Sequence, residues 1–300
     1  MGYLLSLLPE SFLWIGCLSC IFVLGVPHGA LDIYLIWSES KGSIRRSCLL
    51  MCSYLSLVLL ALGLWRISSE WFWFLFFFSA VYHFGISDEH PALLNLLLRN
   101  PLTRSLWIFS RGLVLVFGPA AFHPEKILKY LKPATTQDFA QGLIAVAPFL
   151  FGYGLVFYLV VSGDCWRRGF SRVSRMLILK QVISLLLLLA LFCVSDPLVG
   201  FCLYFCCHHS LNHCFRVFGR RKERNSTLFL LAGLFTIPVI PLWFWSGIRM
   251  SDGTIPENRV IACFVCIAAL TFPHLFVVKK LHAKLGCLNK KDRECLAPAV

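Results

Sequence analysis

The residues of this sequence that could do chemistry are histidines and aspartates placed inside long apolar segments. His28 and Asp32 stand four apart in one such segment, and His83 closes a second, five residues before Asp88. His208, His209 and His213 cluster in a third, and His274 follows Pro273 in a fourth. An ionisable side chain in hydrocarbon is costly, so each is a functional candidate by default. His209 and His213 are related as i and i+4, share one helical face and could chelate one metal ion. His208 sits about 100° further round the helix and reads as a neighbour of that pair. Asp32, one turn beyond His28, could accept that imidazole's second N–H, and Asp88 could do the same for His83. His274, taken alone, reads as a packing or supporting residue beside the site. His90, His123 and His282 fall in loops or at segment ends and read as solvated.

The elements that position these groups follow from composition. Of 300 residues, 58% are hydrophobic and 14% charged, and mean hydropathy is +0.75. A soluble domain has about a quarter of its residues charged, so this chain lacks the polar surface to cover itself in water. Its apolar residues come in blocks long enough to cross a bilayer core, which takes roughly 20 residues of helix. The expected fold is therefore all-α: a polytopic transmembrane bundle of about 8–9 spans, forming one integral-membrane domain over residues 1–300. The candidate spans lie at 11–36, 48–66, 70–87, 102–122, 143–162, 176–195, 197–218, 227–247 and 258–279. Leu93 to Leu98 could form a short interfacial helix. The N-terminus lacks the basic segment of a cleaved signal, so the first span is expected to be retained.

The net charge of +13 is not a nucleic-acid signal, because the basic residues concentrate in alternate loops, around Arg45, Arg168, Arg221 and Lys280. The positive-inside rule then predicts an external N-terminus and a cytoplasmic C-terminus in the cell (inner) membrane. Lys126, Lys129 and Lys132 on the outer side run against the pattern. With that orientation the histidine-bearing spans all run the same way. His28, His83, His209, His213 and His274 lie roughly 12 to 17 residues from the outer ends, within about one helical turn of each other in depth. The fourteen cysteines form no CxxC pair and read mostly as small apolar fillers.

One layer of histidines from separate helices reads as a metal site at His28, His83, His209 and His213. Four neutral imidazoles leave two open positions on an octahedral ion, which suits non-haem Fe(II) and O₂ chemistry better than structural zinc. The aromatic run Trp71 to Phe78 leads into His83. It is either an interfacial belt with a lipid-facing surface or the wall of an apolar tunnel. Two other functions compete on these residues: a haem-binding electron-transfer protein with bis-histidine ligation, and a transporter with a buried histidine cluster, for which no repeat is visible.

Three segments resemble the histidine boxes of a known family. Gly25-Val26-Pro27-His28-Gly29-Ala30-Leu31-Asp32, Tyr82-His83-Phe84-Gly85-Ile86-Ser87-Asp88 and Tyr204 to His213 look like those of the Brp/Blh membrane β-carotene 15,15′-dioxygenases. Thr271-Phe272-Pro273-His274 looks like the family's C-terminal box. The boxes appear in order along nearly the whole chain. The resemblance implies that His28, His83, His209 and His213 are the Fe(2+) ligands. It implies that β-carotene and O₂ are the substrates and that two molecules of retinal are the product, with a rhodopsin as a possible consumer. The third box of the family commonly reads HSxRH, and here Asn212 stands at the arginine position.

Overall fold

The computed structural model describes residues 10–40, 42–88, 100–167, 172–218, 237, 239–241, 243 and 255–295. Every regular element among them is helical. Helix α1 runs from Glu10 to Glu39 and contains a π segment at Ile21–Gly25. Then come α2 (Ile44–Ile67), α3 (Ser69–Ser87), α4 (Pro101–Phe122), the short α5 (Pro124–Leu131), α6 (Gln137–Arg167) and α7 (Arg172–Val194). Helix α8 joins Pro197–Leu203, a π segment at Tyr204–Ser210 and Leu211–Phe218, and α9 is Ile255–Cys295.

Local sequence sets the starts. Asn100 caps α4 by accepting from the Leu102 amide at 2.8 Å, and Asp196 caps α8 by accepting from Leu198 at 2.9 Å. In α4, α5 and α8 a proline occupies the first helical position, where its missing N–H is not needed.

Six helices are long and apolar enough to cross a membrane: Phe12–Glu39, Ile44–Ile67, Pro101–Phe122, Gln137–Arg167, Arg175–Val194 and Glu257–Val277. Their outer faces carry exposed Leu59, Leu60, Phe149 and Val194, which is what lipid solvates. Two further expected spans, at 70–87 and 197–218, are helical but fall outside these six. They are the two that carry His83, His208, His209 and His213, and their polar side chains lower their hydropathy. The expected span at 227–247 and the expected interfacial helix at 93–98 lie, apart from a few positions, outside the described residues.

The helices that carry the site are held by close backbone contact. At the α3–α4 crossing a side-chain carbon at Gly85 would overlap the Ile108 carbonyl, and one at Gly112 would overlap the Val81 carbonyl. Small residues at a crossing let two membrane helices approach through their backbones. This contact fixes the stretch of α3 that bears His83. At the far end of α3, the indoles of Trp65 and Trp73 both donate to the Ala134 carbonyl, at 3.4 and 3.2 Å. They pin the turn after α5 to α2 and α3.

Candidate metal centre

Five imidazoles from four helices meet in the core: His28 (α1), His83 (α3), His209 and His213 (α8) and His274 (α9). None is more than 5% exposed. Their rings form a closed circuit. Centroid separations are 5.0 Å for His83–His209, 5.2 Å for His209–His28 and 5.6 Å for His28–His213. The circuit closes through His213–His274 at 5.4 Å and His274–His83 at 4.9 Å. His28 also lies 5.2 Å from His274. The sequence-predicted His28, His83, His209 and His213 are thus brought together. His274, expected beside the site, is in the circuit on the same terms. His208 is half-buried and stands outside, with its Nε2 3.9 Å from an Asp88 oxygen.

The two π segments border this circuit. Each inserts a residue into the helical repeat and so rotates the turns beyond it, and such bulges concentrate at functional sites. One lies immediately before the turn bearing His28, and the other contains His209. The segments pack against one another through Gly25, Phe205 and Cys206.

The Nδ1 atoms of four of these rings have partners. His28 Nδ1–H donates to the Gly25 carbonyl, with Ser210 Oγ 3.0 Å from the same nitrogen. His83 Nδ1 lies 3.3 Å from Ser87 Oγ. His209 Nδ1–H donates to Asp88 Oδ1 at 2.9 Å, and Asp88 Oδ2 accepts from Tyr204 at 2.7 Å. His274 Nδ1–H donates to Asp32 Oδ2 at 2.8 Å, and that oxygen also accepts from Tyr54 at 3.1 Å. The carboxylates therefore pair differently from the expectation. Asp32 holds His274 and not His28, and Asp88 holds His209 and not His83. His28 Nδ1 is already taken by the Gly25 carbonyl and Ser210, and His83 Nδ1 by Ser87, so each carboxylate serves an imidazole of another helix. Tyr54, Ser87, Tyr204 and Ser210 complete the network. Tyr54 carried no local sequence signal, since it sits 22 residues from Asp32 in an apolar helix.

With Nδ1 protonated and bonded, Nε2 carries the lone pair. His274 Nε2 is buried and has no hydrogen-bond partner among the described residues. His83 and His209 approach through their Nε2 atoms at 3.2 Å. Two donors about 2.1 Å from one ion, at right angles, lie about 3.0 Å apart, so this separation fits a shared cation. The same gap is closed by one proton on His83 Nε2 if the Ser87 hydroxyl turns to donate. As they stand, no three His, Cys, Asp or Glu side chains among the described residues are arranged to hold an ion. The donor set fits a metal in chemistry, burial and outer support, with the last adjustment left to the rings.

An apolar cavity of about 520 Å³ opens on His28, His83 and His274. Its walls come from Val58 and Leu62 of α2, Phe84 of α3, Phe205 of α8 and Leu270 of α9. That volume is in the usual range for a small-molecule site. The aromatic run of α3 divides by face. Trp71, Phe74 and Phe78 are exposed on the outside, whereas Trp73, Phe76 and Phe77 face inward and line a second apolar cavity.

The family model described as "Beta-carotene 15,15'-dioxygenase" matches residues 19–282, which include every histidine of the circuit. A protein of an uncultured marine bacterium (66A03), named Beta-carotene 15,15'-dioxygenase, is 24% identical over 270 residues. That match covers 87% of this chain and 91% of the relative. No solved structure matches the chain.

Proposed function

The chain belongs to the beta-carotene 15,15'-dioxygenase family, and on that premise we propose that it cleaves the central double bond of β-carotene with O₂. The C=C and O–O bonds break and two C=O bonds form, so one O₂ supplies the oxygens of two retinal molecules. The observation that supports this best is the apolar cavity opening directly onto the ring of buried imidazoles. A hydrocarbon substrate and a set of neutral nitrogen donors meet there.

We propose that His28, His83, His209 and His213 hold a non-haem Fe(II), and that His274 is a fifth donor. Asp32 holds the His274 ring as Asp88 holds His209, and its orphaned Nε2 faces the same circuit. When bound, the iron would supply activation of O₂, which side chains alone do not offer. The chain supplies everything else. Asp32, Asp88 and the Gly25 carbonyl accept from Nδ1–H of His274, His209 and His28, which leaves those three Nε2 lone pairs free for an ion, and Ser87 meets His83 Nδ1. Val58, Leu62 and Leu270 exclude water from the polyene. No proton has to be moved by a side chain in this reaction, which agrees with a cavity whose polar lining is mainly the histidines themselves. The hydrocarbon substrate would reach the site from the bilayer.

The test is purified protein in detergent, reconstituted with Fe(II) in the absence of haem. Expected are iron at one per chain, no intense Soret absorption, and retinal from β-carotene. A Soret band with stoichiometric haem would replace this reading with electron transfer. Unchanged β-carotene carried by the protein would replace it with transport.

A further inference from the structure

A second apolar cavity, of about 130 Å³, lies on the other side of Phe84, among α3, α4, α5, α6, α8 and α9. Its walls include Trp73 and Phe77 of α3, Ile127 of α5, Tyr204 of α8 and Ile261 of α9. Phe84 borders both cavities. Its ring packs edge-on against His209 at 4.9 Å and Tyr204 at 5.5 Å. Along α3 the lining runs from Phe84 to Trp73, a distance of about 16 Å at 1.5 Å per residue. At the Trp73 end the indole is tied to Ala134, just past α5, and Ile127 of α5 contributes to the wall.

A linear molecule cut in its middle must extend on both sides of the reacting site, and the two cavities share Phe84, the residue after His83. We propose that the slot behind Phe84 receives the second half of the polyene, with the Phe84 ring as the partition that moves to admit it. The slot's length would then set which double bond lies at the histidines. This inference rests on the proposed function for the identity of the ligand. A cavity of about 150 Å³ holds a benzene-sized ring, so to take a twenty-carbon half the slot must also widen along its length as the chain enters. Joining it to the larger cavity needs displacement of Phe84, which is packed but not sealed, at 8% exposure.

The test narrows the slot at α5, away from the histidines. Ile127→Trp is the first variant, and Leu143→Trp, on α6 and also lining the slot, repeats it from another helix. Iron-loaded protein is given β-carotene and, separately, an apocarotenoid shortened at one end. The ratio of β-carotene turnover to short-chain turnover should fall about tenfold in both variants, because remote binding that positions the bond is lost for the long chain alone. Retention of β-carotene by the purified protein without O₂ should fall in parallel. Equal loss on both substrates, or no change in the ratio and in retention, would overturn the slot. If wild-type protein retains β-carotene without releasing aldehydes, the dioxygenase reading fails, and the retention measurement alone decides the slot.

Discussion

His28, His209 and His274 each pair a held Nδ1–H with an Nε2 lone pair, and substitution of any of the five core histidines should remove one donor. His28→Ala, His83→Ala, His209→Ala, His213→Ala and His274→Ala are expected to lose bound iron and at least about 100-fold in cleavage, beyond the loss of a supporting partner. His208→Ala should keep both within a few-fold, since its ring stands outside the circuit. Iron per chain, measured with the cleavage rate, checks the series. Full iron in His274→Ala would leave that residue as packing, and a severe defect in His208→Ala would reverse the facing of α8. Asp32→Asn should weaken iron retention about 10–100-fold while the fold survives, with Asp32→Ala worse. Because Asp32 bonds His274 and Tyr54, Tyr54→Phe should show a smaller loss of the same kind. Normal iron in both Asp32 variants would contradict the support role. At this scale the sequence was legible in residue type. Histidines in hydrocarbon announce themselves by cost, but the partner of each carboxylate is a tertiary fact, invisible at four-residue spacing.

Helices deliver these residues to one place by two devices, the π segments in α1 and α8 and the glycine crossing of α3 on α4. Gly85→Ala forces a methyl into the Ile108 carbonyl, so α3 must move away from α4 and carry His83 with it. The expected result is a loss of about 1–3 kcal/mol in stability, typical of overpacking, and a fall in cleavage rate. Thermal unfolding in detergent with a parallel activity assay checks this, and a wild-type melting temperature would mean that the crossing relaxes without cost. Hydropathy made the long apolar helices readable. It also revealed α3 and α8 as the candidate spans 70–87 and 197–218, although their polar side chains, the ones the site needs, leave them outside the six most plainly apolar helices. The π insertion in α1 leaves no signature in apolar periodicity, because the residues around it, such as Phe22 and Val23, are apolar on every face.

At the scale of the whole molecule, a shell of exposed leucines, valines and phenylalanines surrounds a core whose buried histidines converge on one circuit, with buried Arg111 held separately by Tyr158. The alternating basic loops lead us to propose an external N-terminus and a cytoplasmic C-terminus. Reporter fusions at the two ends should read opposite compartments, and the same compartment at both would require an even number of crossings. Long apolar blocks carried the helical architecture in the sequence. The apolar cavities did not show there, since they are enclosed by side chains from helices far apart in the chain, such as Leu62, Phe84 and Leu270. The most direct test of central cleavage at the histidine circuit is product stoichiometry. Purified protein loaded with Fe(II) is given β-carotene and a measured amount of O₂, and retinal is quantified against O₂ consumed. Two retinal molecules per O₂ are expected, with none formed by the His83→Ala protein. Aldehydes of unequal length, or β-carotene left intact with iron bound, would contradict central cleavage at this site.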